Sequence, residues 1–239
     1  MRCKEVIFLN KIKKRGKRDY IVMMINRGTK IFITGFFNSG KSTLVHTLDN
    51  KSIHVEKKLH TQFDKDKTHT TTGFDLGKLI WARPNLDGDT EGVLMSKIEY
   101  LRDKDEYLGW HITNVVIKGC PGQMQFSTVR KVLSKGSDGV IFLIDGCDLA
   151  NIGNAMVILE ETKVTLGSNV PMKIIANKSD RNDYHGCEMI SNMIGEQVFI
   201  GSAKCNIGIK DGIIQILKII LNGSIEKPIT EPEVGLSLE

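Results

Sequence analysis

Residues 30–42 read Lys30-Ile31-Phe32-Ile33-Thr34-Gly35-Phe36-Phe37-Asn38-Ser39-Gly40-Lys41-Ser42, and this stretch decides the fold. Its first five residues are a β-branched and aromatic run, the pattern of a buried strand. The next eight fit G-x-x-x-x-G-K-[ST]. A helix is expected to follow to about Asn50, because Leu44, Val45 and Leu48 share one helical face. Strand, glycine loop and helix in that order are the context a phosphate loop requires. Gly35 and Gly40 permit backbone angles closed to other residues. Successive N–H groups can then surround a β-phosphate at a helix N-terminus. Lys41 supplies positive charge to β/γ oxygens, and the Ser42 hydroxyl ligates magnesium. The motif calls for a nucleoside triphosphate and leaves open both the base and the choice between hydrolysis and transfer.

Outward from the loop, apolar runs at Phe74–Trp81, His111–Lys118, Val140–Ile144, Met172–Ala176 and Val198–Ile200 read as strands. The run at 140–144 is apolar throughout, as a parallel strand covered on both faces must be. Helices are expected over 149–166, between the last two strands, and over 209–221. Strands alternating with helices predict a three-layer α/β domain with a mostly parallel sheet. Residues 50–72, polar and without periodicity, read as a mobile loop. Residues 83–110, with turn signals at Pro84-Asn85 and Asp87-Gly88, read as an insertion holding a hairpin or a short helix. A flexible tail is expected from Gly223.

The base should be read where Asn177-Lys178-Ser179-Asp180 leaves the Met172–Ala176 strand, at a carboxyl end where ligands bind in such sheets. A carboxylate selects guanine by geometry, because guanine offers N1–H and the N2 amine side by side, whereas adenine turns an acceptor to it. Asn177 can donate to N7 and tie two loops together, and the Lys178 stem can cover the base. After the next strand, Gly201-Ser202-Ala203-Lys204 offers the Ala203 N–H to guanine O6. Either tetrapeptide alone is also a helix-start signal; both, in order and each after a strand, are not explained that way.

Composition bounds the rest. At 41% apolar and 26% charged the 239-residue chain is ordinary globular protein, and no apolar run reaches the roughly 18–20 residues of a spanning helix. The +5 net charge is lopsided. Residues 1–30 hold ten Lys/Arg against Glu5 and Asp19, while the remainder holds 23 against 26 Asp/Glu. The basicity belongs to the arm, so no nucleic-acid-binding body is expected. Five scattered cysteines without a C-x-x-C pair, and no signal-peptide core, fit a reducing cytoplasm. Apolar runs at Val6–Leu9 and Tyr20–Ile25 flank a basic cluster in the arm, residues 1–29. One reading is weak peripheral membrane contact; the other is a solvated arm, or an extension upstream of a start at Met23 or Met24. Arg2 excludes myristoylation, and the final Gly-Leu-Ser-Leu-Glu is no prenylation box.

Taken together, the phosphate loop, the Thr-rich segment, Pro-Gly-Gln, Asn-Lys-Ser-Asp and Ser-Ala-Lys follow the order of the Ras-like small GTPases, which the chain resembles over about residues 30–222. Thr70-Thr71-Thr72-Gly73-Phe74-Asp75-Leu76-Gly77 and Gly119-Cys120-Pro121-Gly122-Gln123-Met124-Gln125-Phe126 are similar to segments of the Arf-like and prokaryotic MglA-like branch. The resemblance implies a P-loop NTPase sandwich forming a single G domain, a GTP/GDP switch with magnesium as cofactor, and protein regulators and effectors docking on residues 51–72 and 119–135. It implies Gln123, Lys41 and Thr71 as catalytic residues, with Gln123 orienting the attacking water. Ser42 and Thr71 become the metal ligands, Thr70 and Thr72 being neighbours that could take the role one register away. Gly35, Asn38, Ser39, Gly40, Lys41, Ser42, Thr43, Gly122, Asn177, Lys178, Asp180, Ser202, Ala203 and Lys204 become nucleotide-binding.

The pattern departs from the family at one place: Gly119 stands where most members carry the Asp of Asp-x-x-Gly, which predicts weaker anchoring of magnesium. Asp75 is read either as a substitute for it or as an ordinary surface residue. Arg83 and Arg130 read as solvated charges, so no arginine is expected at the γ-phosphate and hydrolysis should be slow without an activating partner. Cys120 reads as a redox handle or, more simply, a small filler. Two rival functions stand beside the switch. One is a GTP-binding assembly platform with little or no hydrolysis. The other is a P-loop kinase, against which both base-reading tetrapeptides speak.

Overall fold

The computed structural model describes residues 6–11, 20–25, 28–58, 69–84 and 91–225. Its strands are β1 (Val6–Lys11), β2 (Tyr20–Ile25), β3 (Thr29–Thr34), β4 (Ile53–Lys58), β5 (His69–Arg83), β6 (Val93–Ser96), β7 (His111–Gly119), β8 (Gly139–Asp145), β9 (Met172–Asn177) and β10 (Val198–Ile200). Its α-helices are α1 (Lys41–Leu48), α2 (Lys97–Arg102), α3 (Ser127–Ser134), α4 (Ile152–Leu166), α5 (Cys187–Ile194) and α6 (Ile209–Ile225). The main sheet runs β10-β9-β8-β3-β7-β5-β4, with β6 beside the second half of β5. From β10 to β7 all neighbours are parallel, and β5 pairs antiparallel with β7, β4 and β6.

The alternation of side chains explains why the central strands are apolar throughout. Ile31, Ile33, Ile141 and Leu143 point to one face, against Leu44, Val45 and Leu48 of α1 and Ile213, Ile216 and Leu217 of α6. Phe142 and Ile144 point to the other, against Ile158 and Leu159 of α4 and Ile190 of α5, while Phe32 and Val140 meet Leu133 of α3. Helices therefore cover both faces of a mixed, mostly parallel α/β sheet, an arrangement compatible with three layers. From β3 the chain passes through α1 to β4 at the far edge of the sheet, returns by β5 to β7 beside β3, and then crosses to β8 on the other side of β3. The loops leaving β3, β8 and β9 thus open on one edge, at the point where the strand order reverses, which is where such sheets bind ligands.

One expectation is corrected and two are made specific. Residues 50–72 are not a loop throughout: β4 and the start of β5 pair there, Glu56 opposite Thr71 and Lys57 opposite Thr70. An edge strand needs no hydrophobic alternation when its backbone is satisfied by its neighbour, so the polar sequence concealed it; residues 59–68 lie outside the described residues. The segment 83–110 supplies both a hairpin partner and a short helix, since β6 returns along β5 and α2 starts at a reciprocal cap between Ser96 and Glu99. In the arm, β1 and β2 form an antiparallel pair in which Val6 faces Ile25, so both apolar runs are strands. The closing helix continues to Ile225, and the rest of the expected tail lies outside the described residues. Among the described residues no helix is long and apolar enough to cross a membrane.

Candidate functional site

The loop between β3 and α1 folds over its own lysine. Lys41 is 7% exposed, and its Nζ donates to the Phe36 carbonyl at 2.7 Å and to Ser39 Oγ at 3.2 Å. Asn38 (φ 63°) and Gly40 (φ 95°) take the left-handed backbone that turns the loop into the helix start. At Gly40 space matters as well as angle, because a Cβ there would lie 2.1 Å from Asn177 Nδ2. Gly122 also approaches: its Cβ would stand 2.5 Å from Lys41 Nζ, so the Pro-Gly-Gln turn faces the phosphate loop.

Asn177 joins the loops. Its side chain is buried; Nδ2 donates to the Ser39 carbonyl at 2.8 Å, and Oδ1 accepts from the Ala203 N–H at 2.6 Å. The tie between two loops expected of Asn177 is in place. Ser202 Oγ donates to Asp180 Oδ1 at 2.6 Å, which holds the Asp180 carboxyl below its ordinary range. Lys178, at φ 72°, reaches back to Asp145 Oδ2 at 2.6 Å. Gly40, Thr43, Asn177, Lys178, Asp180, Arg181, Ala203 and Lys204 line a pocket of about 340 Å³ beside the β3–α1 loop. Asp145 and Arg181 were not singled out in the sequence. Asp145 ends β8 at the carboxyl edge of the sheet, a position that could have marked it.

Asp75 reaches the start of α1 from β5. It is fully buried, so the reading as an ordinary surface residue is overturned. It stands directly opposite Gly119 across β5 and β7. A Cβ on Gly119 would meet Asp75 Oδ2 at 2.8 Å, its Cβ at 3.0 Å and its Cγ at 3.3 Å. The space a side chain at 119 would need is filled by the carboxylate of the neighbouring strand, and that carboxylate accepts from Ser42 Oγ at 2.8 Å. Ser42 and Asp75 are hard oxygen donors that suit magnesium, and the glycine clearance places the Asp75 carboxylate beside the phosphate-loop serine. Among the described residues no three His, Cys, Asp or Glu side chains cluster as a metal cage, so phosphate and water oxygens would complete the coordination. Thr71 lies on β5 opposite Glu56. It is four residues from Asp75, roughly 13 Å along an extended strand, so β5 does not bring it to Ser42.

Both arginines read as solvated charges are buried. Arg130 is 2% exposed; it forks onto Glu161 at 3.3 and 3.1 Å and donates through Nη1 to the Gln123 carbonyl at 2.6 Å. It therefore pins the backbone of the residue expected to orient water, and the side chain of that residue accepts from Gln125 Nε2 at 3.0 Å. Arg83 is 5% exposed and stacks on Trp81 at 4.6 Å, eight residues along β5 from Asp75 and toward the other end of the sheet. Cys120 is wholly buried, its thiol donates to Thr34 Oγ1, and desolvation pushes its pKa up. Of its two readings the filler stands, since a buried neutral thiol is unreactive.

Neither a protein-family model nor a curated protein matches this chain.

Proposed function

We propose that the chain is a small GTP-binding protein of the Ras-like kind, similar to the Arf-like and MglA-like branch, that alternates between GTP and GDP and hydrolyses GTP slowly on its own. The observation that carries this reading is the double hydrogen bond of Asn177, which ties the phosphate loop to the Ala203 turn beside Asp180. A triphosphate cradle and a carboxylate able to read N1–H and N2 together then border one pocket. Asp180, held ionised by Ser202, accepts those two protons. The Ala203 N–H reaches O6, and Asp145 steadies the Lys178 stem over the base.

On the phosphate side the loop N–H groups and Lys41 carry the β/γ charge. Ser42 and Asp75 would hold magnesium, which when bound neutralises developing charge on the phosphates. Gln123, with its backbone fixed by Arg130, orients the attacking water. The role expected of Thr71 requires the first residues of β5 to leave β4, an order-to-disorder change of the kind switches use. Every described arginine is committed elsewhere: Arg130 to Glu161, Arg83 to Trp81, Arg102 to Asp103 and Arg181 to Asp183. An arginine brought by an activating partner would raise the rate on the order of 10³–10⁵-fold.

The assembly-platform reading has one observation in its favour, the engagement of the Gln123 side chain by Gln125. Nucleotide released from purified protein and separated by chromatography, followed by single-turnover GTP hydrolysis with and without Gln123→Leu, tests both. Guanine nucleotide with slow hydrolysis that Gln123→Leu abolishes supports the switch. Bound GTP that neither protein hydrolyses supports the platform, and adenine nucleotide overturns both.

A further inference from the structure

His54 lies in a stretch that carries no motif, yet it completes the arrangement around Asp75. His54, Asp75 and Gly119 form one row across three strands: His54 faces Asp75 between β4 and β5, and Asp75 faces Gly119 between β5 and β7. Gly119 leaves the room and His54 supplies the grip. Its Nδ1 lies 2.9 Å from Asp75 Oδ1, while its Nε2 lies 2.6 Å from Ser52 Oγ. A carboxylate oxygen accepts, so Nδ1 donates to Asp75, while Nε2 meets the Ser52 hydroxyl, which can act as donor or acceptor. Both ring nitrogens are thus engaged, and the ring of His46 from α1 packs edge-on at 5.8 Å. The ladder between β4 and β5 shifts register between His54 and Glu56, a bulge of the kind that re-aims side chains beside functional sites.

We infer that His54 is a positioning residue for magnesium: by holding Oδ1 of Asp75 it aims Oδ2 at Ser42, doing from the edge strand what a carboxylate at position 119 would have done by itself. Asp75 Oδ2 accepts a hydrogen bond from the Ser42 hydroxyl at 2.8 Å, which leaves the oxygen lone pairs of Ser42 available to a metal. Partners of this type fix ligand orientation and raise ligand basicity, and their loss typically costs 10–100-fold in metal affinity. An ordinary edge-strand ion pair would be solvated at both ends. Here the carboxylate is fully buried and its second oxygen is committed to the residue expected to bind the metal. The clamp also links the metal to β4, so loss of β4 pairing would loosen Asp75 as well.

The inference rests on the guanine-nucleotide reading, and its test separates the two. Release of N-methylanthraniloyl-GDP is followed by fluorescence over a series of EDTA-buffered magnesium concentrations, for wild type, His54→Ala, His54→Asn and Ser52→Ala. His54→Ala should raise the magnesium concentration giving half-maximal slowing by about tenfold, leaving release in excess EDTA within about twofold of wild type. His54→Asn, whose amide can still donate to Asp75, should recover most of the loss, and Ser52→Ala should show a smaller shift in the same direction. An unshifted magnesium midpoint in folded His54→Ala overturns the inference alone. So does faster release by the same factor in EDTA, the mark of a merely structural role, or absence of rescue by Asn. If His54→Ala does not fold, Ser52→Ala decides: a shifted midpoint supports the inference and an unshifted one overturns it. Failure of wild type to bind the probe at all overturns the guanine-nucleotide reading and the inference with it.

Discussion

Exchanging the residues at 75 and 119 tests whether one carboxylate has moved between two strands. Directly opposed residues in antiparallel strands usually keep their Cβ atoms about 4.5–5.5 Å apart. A Cβ at 119 would stand 3.0 Å from that of Asp75, so Gly119→Asp must push β5 and β7 apart by roughly 1.5 Å locally. Overpacking of that kind costs about 1–3 kcal/mol. Setting two carboxylates face to face forces one to bind a proton, at about 1.4 kcal/mol for each unit of pKa shift. Gly119→Asp should therefore destabilise by roughly 2–4 kcal/mol. Asp75→Gly removes the acceptor used by Ser42 and His54 and adds a strand glycine, which should cost about 2–4 kcal/mol.

All three atoms nearest to a Cβ at 119 belong to Asp75, so the double variant relieves the clash and returns a carboxylate to the same space. Its cost should fall short of the summed single costs by about 1–3 kcal/mol. Urea unfolding of the four proteins at neutral pH in excess EDTA measures this without any metal contribution. Additivity within about 0.5 kcal/mol would refute the claim that Asp75 occupies the space reserved at 119.

Asn177→Ala strands the Ser39 carbonyl and the Ala203 N–H, two buried groups at about 1–3 kcal/mol each. A loss of roughly 2–6 kcal/mol in urea unfolding is expected, with weakened nucleotide retention, and a stability unchanged within 0.5 kcal/mol would argue against the tie. Arg130→Met leaves Glu161 unpaired and frees the Gln123 backbone, so unfolding should be easier by about 3–5 kcal/mol, while pairing it with Glu161→Leu should recover part of that. On the proposed guanine reading, Asp180→Asn would set a donor opposite N2, so guanine affinity should fall by about 10⁴-fold and xanthine nucleotides should gain, read by competition binding. In native protein exposed Cys205 should react with a thiol reagent at pH 8 while Cys120 stays silent, because burial raises its pKa and keeps it neutral; mass spectrometry of the labelled peptides decides.

The strand–loop–helix at 29–48 and the turns after β9 and β10 were legible because each is local. Glycines, a lysine and a hydroxyl at fixed spacing between a strand and a helix dictate a tight turn into that helix, and a buried central strand must be apolar on both faces. The sequence alone therefore determined the α/β class, the order of the central strands along the chain, and the residues that gather at Asn177. The pairings of β4 and the placement of Asp75, His54, Arg83 and Arg130 were settled only in three dimensions. Each depends on which residue stands opposite which across strands distant in sequence, and a one-residue slip would turn every side chain to the other face. Gly119 shows the difference most directly. In sequence it is a missing aspartate; in the folded sheet it is the clearance for an aspartate that register delivers from the next strand.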